Sequence, residues 1–88
     1  MAAVFSLSMY TPEETLFSGN VTSVIVPSVD GYMGILAHHT AIVALLAGGQ
    51  ITVKDAQGQP KIFRARGTGC LEVSHNAATI LLESVEAA

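Results

Sequence analysis

Four side chains in this sequence carry the groups that most often bind metals or attack substrates: His38, His39, Cys70 and His75. Zinc ligands usually come in pairs of the C-x-x-C or H-x-x-x-H kind, and neither spacing occurs here. Adjacent residues of a strand point to opposite faces, so His38 and His39 are poorly placed to share one ion. We therefore predict no metal site and interpret the histidines as surface or interface residues.

Cys70 and His75 are the residue types of a thiol nucleophile and its base. Cys70 precedes Leu71 in an alternating segment, where a small, half-buried thiol needs no chemistry to explain it. No nucleophile elbow or pair of acids accompanies the histidines. We predict that the chain is not an enzyme, with a small thiol enzyme as an alternative. Because Cys70 is the only cysteine, an internal disulfide is excluded.

Two glycine-rich stretches, Gly31-Tyr32-Met33-Gly34 and Gly67-Thr68-Gly69, raise the question of phosphate binding. Neither has the G-K-[ST] continuation of a phosphate loop, and neither opens onto a helical pattern. The sequence therefore predicts neither a nucleotide site nor a cofactor.

The glycines are better explained by backbone geometry. Asp30-Gly31 is a turn pair in which Gly31 can adopt a positive φ, and Gly34 allows two strands to pass closely. Tyr32 and Met33 lie between these glycines. Large side chains at such a turn are better suited to contact a partner than to fill a core.

The composition also points to a partner. Half of the 88 residues are hydrophobic and only 12% are charged, which leaves a surface too apolar for a freely solvated monomer. A net charge of −3 with four cations argues against nucleic acid or anionic lipid as that partner. No secretory signal and no apolar span long enough for a bilayer is evident, which favours a reduced, aqueous compartment. The length predicts one domain over residues 1–88.

Short β-strands are predicted along the whole chain. Turn signals recur roughly every 8–12 residues, as in a sandwich or barrel. They are S-G-N, V-D-G, A-G-G-Q, A-Q-G-Q-P, G-T-G and S-H-N. The capping-box pattern T-P-E-E is followed by too few residues for a helix, so we interpret it as a bend. For T-A-I-V-A-L-L-A, a short strand and a single helical turn both remain open.

One long stretch, LFSGNVTSVIVPSVDGYMGILAHHTAIVALLAGGQITV, resembles the N-terminal domain of the epsilon subunit of rotary F-type ATP synthases. The similarity lies in F-S-G, an acidic-glycine turn, G-x-x-G-I-x-x-x-H and a later glycine. These are Phe17, Ser18, Gly19, Asp30, Gly31, Gly34, Ile35, His39 and Gly48. The later GTGCLEVSHNAATIL is similar to the family's G-G-x-L-E-V stretch and closing strand.

Two departures from the family pattern stand out. The family often has P-x-H-A-P around the histidine, whereas this sequence has Ala37, His38, His39, Thr40 and Ala41, so we expect a less rigid loop. The family also commonly continues into a pair of C-terminal helices. Their inhibitory and ATP-binding properties are not carried over to this sequence.

The resemblance implies an all-β fold, a flattened antiparallel β-sandwich or barrel of two sheets with about 8–10 short strands. It implies a non-catalytic central-stalk subunit that clamps the gamma subunit to the membrane c ring, couples proton flow to ATP synthesis and binds no cofactor. The expected location is the cytoplasmic face of a bacterial inner membrane, as a peripheral component. A generic all-β interaction module of another complex is the alternative.

Site residues follow from the same resemblance. The c-ring interface would comprise Asp30, Gly31, Tyr32 and Met33. The gamma-subunit interface would comprise His39, Thr40, Ala41, Ile42 and Val43. The glycines expected to shape the backbone are Gly19, Gly31, Gly34 and Gly48.

Overall fold

The fold consists of seven β-strands. The structure is a computed structural model that describes residues 3–86. The strands are β1 (Phe5–Tyr10), β2 (Thr15–Ser28), β3 (Gly31–Leu36), β4 (Ile42–Leu46), β5 (Gly49–Asp55), β6 (Pro60–Ser74) and β7 (Ala77–Val85). Among the described residues, no helix is long and apolar enough to cross a bilayer.

The strands are fewer and longer than the 8–10 short strands predicted. β2 has 14 residues and β6 has 15, so each extends through a predicted turn. S-G-N lies inside β2, where Gly19 pairs with Leu7 of β1. G-T-G lies inside β6, where the pairing register with β7 shifts between Arg66 and Gly69. The glycines of G-T-G accompany a bulge and Gly19 lies in a regular strand pair, so neither stretch reverses the chain.

β2 and β6 connect the two layers of the fold. The first part of β2 pairs with β1, and its later part pairs with β3 and β5. The first part of β6 pairs with β5, and its later part pairs with β4 and β7. All these pairs are antiparallel, as predicted. The prediction is wrong at one pair, since β1 and β7 run parallel.

The core is formed by inward-facing apolar residues of every strand, as period-two alternation requires. It includes no buried polar or charged side chain among the described residues. Its members are Phe5, Leu7, Met9, Val21, Val24, Val26, Ile35, Leu46, Ile51, Val53, Ala65, Leu71, Val73, Ala78, Ile80 and Leu82.

Three short stretches discussed in the sequence analysis have a defined backbone conformation in the structure. T-P-E-E forms a bend in which the Thr11 amide donates to the Glu14 carbonyl at 2.9 Å. The stretch left open between strand and helical turn contains β4. S-H-N is a tight turn, with φ of 52° at His75 and 57° at Asn76.

Candidate interaction site

A tight hairpin between β2 and β3 presents the first set of predicted contact residues. Its loop is Val29-Asp30, and Gly31 adopts a φ of 120°, which a glycine tolerates. The Ser28 hydroxyl accepts a hydrogen bond from the Asp30 amide at 3.2 Å and donates to the Gly31 carbonyl. The hairpin tip is therefore held by its own side chain, with Val29, Asp30 and Gly31 exposed.

The two large residues of the hairpin differ in burial. Tyr32 is 64% exposed, and its hydroxyl accepts a hydrogen bond from the Gln50 amide at 3.3 Å. Met33 is half-buried and packs against the core. Of the two, Tyr32 offers the larger surface to a partner.

β4 lies beside the hairpin because backbone bonds join their ends. The Val29 amide donates to the Leu45 carbonyl at 3.0 Å, and the Ala47 amide donates to the Pro27 carbonyl at 2.8 Å. β4 alternates as a strand with one solvent face: Val43 is 73% exposed and Leu45 62% exposed. Its intervening residues turn toward the core.

The hairpin and β4 enclose an open groove of about 610 Å³. It is lined by residues 28–33 of the hairpin and 42–45 of β4. The groove brings together all four residues of the predicted c-ring set and two of the predicted gamma set, Ile42 and Val43. Asp30 and Tyr32 are the two ionisable side chains among the residues that line the groove. Such a lining is suited to apolar contact with another protein.

The remaining predicted gamma residues, His39, Thr40 and Ala41, lie in the loop before β4. His39 Nδ1 lies 2.7 Å from the Thr40 carbonyl oxygen, which fits the tautomer with a proton on Nδ1. The preceding His38 has a φ of 63°, and its amide donates to Asn76 Oδ1 at 2.7 Å. The loop is thus fastened to the β6–β7 turn. Within residues 3–86, no three potential metal ligands cluster.

An exposed apolar row that the sequence analysis did not identify extends from the groove. Leu45 pairs with Cys70 of β6, Cys70 with Leu81 of β7, and Leu81 with Tyr10 of β1. Directly paired residues share a face of the sheet. Leu81 is 51% exposed and Tyr10 36%. The strand pattern allows each of these four residues to face outward. Their alignment in one row depends on the pairing of four strands, which the sequence alone does not show.

Cys70 and His75 do not form a catalytic pair. Cys70 lies at the centre of the apolar row, whereas His75 occupies the turn five residues later, on the order of 15 Å along the strand. His75 Nδ1 instead lies 3.0 Å from the Ser74 hydroxyl.

The four predicted structural glycines have different surroundings. Gly31 has the positive φ noted above, and an added Cβ at Gly48 would stand 3.3 Å from a backbone carbonyl of β6. At Gly19 and Gly34 the nearest atoms to an added Cβ are 3.8 and 4.0 Å away. These last two positions have room for a methyl group.

The positive charges are clustered in one part of the fold. All four cations lie on β5 and the first part of β6: Lys54, Lys61, Arg64 and Arg66. The outer face that carries the apolar row instead holds Glu72, which pairs with Val43, and Asp30 lies at the hairpin tip. A partner with an apolar, positively charged surface complements this face.

The strand pairing and the single core define a β-sandwich domain. The family described as "ATP synthase, Delta/Epsilon chain, beta-sandwich domain" matches residues 4–88, and the chain belongs to this family. The sandwich fold and the family resemblance predicted from the sequence are both confirmed.

Several relatives are named ATP synthase epsilon chain. That of Protochlamydia amoebophila is 42% identical over 83 residues, which is 94% of this chain and 56% of the relative. That of Chlorobium limicola is 38% identical over 92% of this chain and 91% of the relative. That of Caulobacter vibrioides is 40% identical over 98% of this chain and 99% of the relative. The chain thus spans about half of the first relative and nearly all of the other two.

Solved structures share the fold. A chain of the Euglena gracilis mitochondrial ATP synthase (OSCP/F1/c-ring) superposes with a TM-score of 0.88 at 22% identity, over 98% of this chain and 54% of that one. A chain of the Tetrahymena thermophila mitochondrial ATP synthase (central stalk/c-ring) gives a TM-score of 0.78 at 13% identity, over 97% and 67%.

Proposed function

We propose that this chain is a non-catalytic part of the central stalk of a proton-translocating F-type ATP synthase, where it joins the gamma subunit to the c ring. Family membership supports this assignment. The observation that carries it is the groove, because the predicted c-ring residues line it together with Ile42 and Val43 of the predicted gamma set, on an exposed apolar surface. A long-lived interface is depleted of charge in just this way, since an unpaired buried charge is costly.

The hairpin tip is the proposed c-ring contact, through Asp30, Gly31, Tyr32 and Met33. It protrudes on a two-residue loop, and Tyr32 supplies exposed aromatic surface. Met33 exposes less surface to the proposed contact than Tyr32, because its side chain is partly buried against the core.

The proposed gamma contact is the outer face of β4 with the loop before it, His39 to Val43. Val43 is its most exposed apolar residue, and Ile42 supports the surface from the core side. We extend this contact to Leu45 and, along the apolar row, toward Leu81 and Tyr10.

The proposed mechanism is mechanical. Torque from the ring reaches gamma only through a body that does not deform, and two layers joined by continuous strands provide one. We propose that residues 1–88 act as one domain, without an active site of their own, at the cytoplasmic face of a bacterial inner membrane.

Binding to purified gamma subunit tests this proposal. We expect Leu45→Asp to weaken binding at least about tenfold, because the carboxylate would be desolvated at the centre of the contact. Isothermal titration calorimetry of the tagged chain with gamma is the measurement. Ile62→Asp is the matched control, since Ile62 is 61% exposed on β6, outside the groove and the row.

Equal binding of the wild type and Leu45→Asp, with both folded by circular dichroism, would contradict the gamma assignment. Absence of gamma binding by the wild type would favour an interaction module of another complex.

A further inference from the structure

The outer edge of β3 carries backbone groups that no other strand covers. Within residues 3–86, β3 pairs only with β2 and lies at the end of the strand order. Ser28 and Gly31 close the two-residue hairpin loop as a hydrogen-bonded pair, so bonding toward β2 alternates along β3. The N–H and C=O groups of Tyr32, Gly34 and Leu36 therefore point away from β2.

This edge lacks the features that usually prevent strand pairing between molecules. Natural edges are commonly protected by charged side chains, proline or a bulge. β3 reads G-Y-M-G-I-L, and its pairing with β2 continues without a register shift. Tyr32 and Leu36 are each 64% exposed.

We propose that two copies of this chain associate through antiparallel pairing of their β3 edges. A two-fold axis at Gly34 places Gly34 opposite itself and Tyr32 opposite Leu36 of the second copy. In this register all outward-pointing groups of the three residues pair, giving about six backbone hydrogen bonds. Tyr32, Gly34 and Leu36 share one face, so Leu36 of one copy lies on the same face as the exposed part of Tyr32 of the other.

The sequence on either side of β3 supports this self-complementary register. Asp30 precedes the strand and His38 follows it, and both are exposed. Antiparallel pairing places the Asp30 end of one strand beside the His38 end of the other, so the two aspartates lie at opposite ends of the contact. Gly34 leaves the centre of the contact open, because an added Cβ there would still be 4.0 Å from its nearest neighbour.

The pairing is expected to be weak and to occur between copies that are not assembled into a stalk. A six-residue edge falls in the size class of small, transient interfaces. Tyr32 also belongs to the proposed c-ring contact, so dimer and assembled stalk would exclude each other. The dimer itself does not depend on that assignment, since it is tested on the isolated chain.

Disulfide trapping tests the register directly. Hydrogen-bonded antiparallel partners have Cα atoms about 5.5 Å apart, within the range that a disulfide spans. Gly34→Cys in a Cys70→Ser background is expected to form a covalent dimer on mild oxidation much faster than Ile62→Cys in the same background. Equal rates for the two variants would overturn the register.

Sedimentation equilibrium tests the association without a cross-link. The wild type is expected to dimerise with rising concentration. Leu36→Lys should weaken dimerisation about tenfold or more, because symmetry places the change in the contact twice. Ile62→Lys should leave it unchanged. A wild type that remains monomeric, or equal weakening by both variants, would overturn the proposal.

Discussion

Glu83 shows how one exposed side chain can support an irregular strand. The register between β6 and β7 shifts between Arg66 and Gly69, which leaves Thr68 without a regular ladder partner. The Glu83 carboxylate accepts hydrogen bonds from the backbone amide of Thr68 and, at 2.8 Å, from its hydroxyl. These bonds, the backbone one first, lower the pKa of Glu83 below its ordinary value of 4.5. The bulge is thus held in place by an ionised acid.

This arrangement predicts a pH-dependent effect of Glu83→Gln. Because the folded-state pKa is lowered, the ionised carboxylate stabilises the fold above the unfolded pKa, and this contribution is lost as pH falls through the folded pKa. We expect the variant to melt below the wild type at pH 7 and the two curves to converge below pH 4.5. Thermal melts across this range are the measurement, with Glu72→Gln, exposed on β6, as control. A difference that stays constant in acid would argue against the carboxylate.

At the scale of elements, Asn76 connects the β6–β7 turn to two other segments through its side chain. Asn76 Nδ2 donates to the Val4 carbonyl at 3.0 Å, and its Oδ1 accepts from the His38 amide. Its own φ of 57° is left-handed, a conformation that asparagine tolerates. One side chain thereby connects the turn, the start of β1 and the histidine loop.

Asn76→Gly separates the two roles of this residue, because glycine keeps the left-handed backbone and removes both side-chain bonds. We expect a loss of about 1–3 kcal/mol in the free energy of unfolding, for two unsatisfied partners. Urea denaturation measures it. His75→Gly is the matched control, as His75 has a similar φ of 52° and an exposed side chain. Equal effects of the two changes would assign the role to the backbone instead.

Some features of these elements can be predicted from the sequence, and others depend on tertiary contacts. The D-G pair predicts the tight turn between β2 and β3. The run I-V-A-L-L is apolar throughout, so the outward orientation of Val43 and Leu45 follows from the structure and not from the sequence pattern. The bulge at Gly67 and the parallel β1–β7 pair depend on contacts between distant segments, so local patterns did not reveal them. For the same reason Leu81 and Tyr10 were missed as neighbours of the groove.

On the scale of the whole molecule, the positive charges lie away from the groove and the apolar row. The cations lie on β5 and the first part of β6, whereas the groove and the apolar row lie on the hairpin, β4 and the strands beyond it. The proposed role, contact with two partners in the central stalk, would require contact surfaces that are fixed relative to each other. β2 and β6, which take part in both layers, provide that rigidity.

ATP-driven proton pumping in membranes that carry Tyr32→Asp is the sharpest test of the proposed coupling through the hairpin. Tyr32→Phe controls for loss of the hydrogen bond from the Gln50 amide, and Ile62→Asp controls for an added charge at a similarly exposed site. We expect Tyr32→Asp to lower the protons pumped per ATP hydrolysed, with both controls near the wild type. Unchanged pumping by a folded, fully incorporated Tyr32→Asp subunit would contradict the proposed coupling through this hairpin.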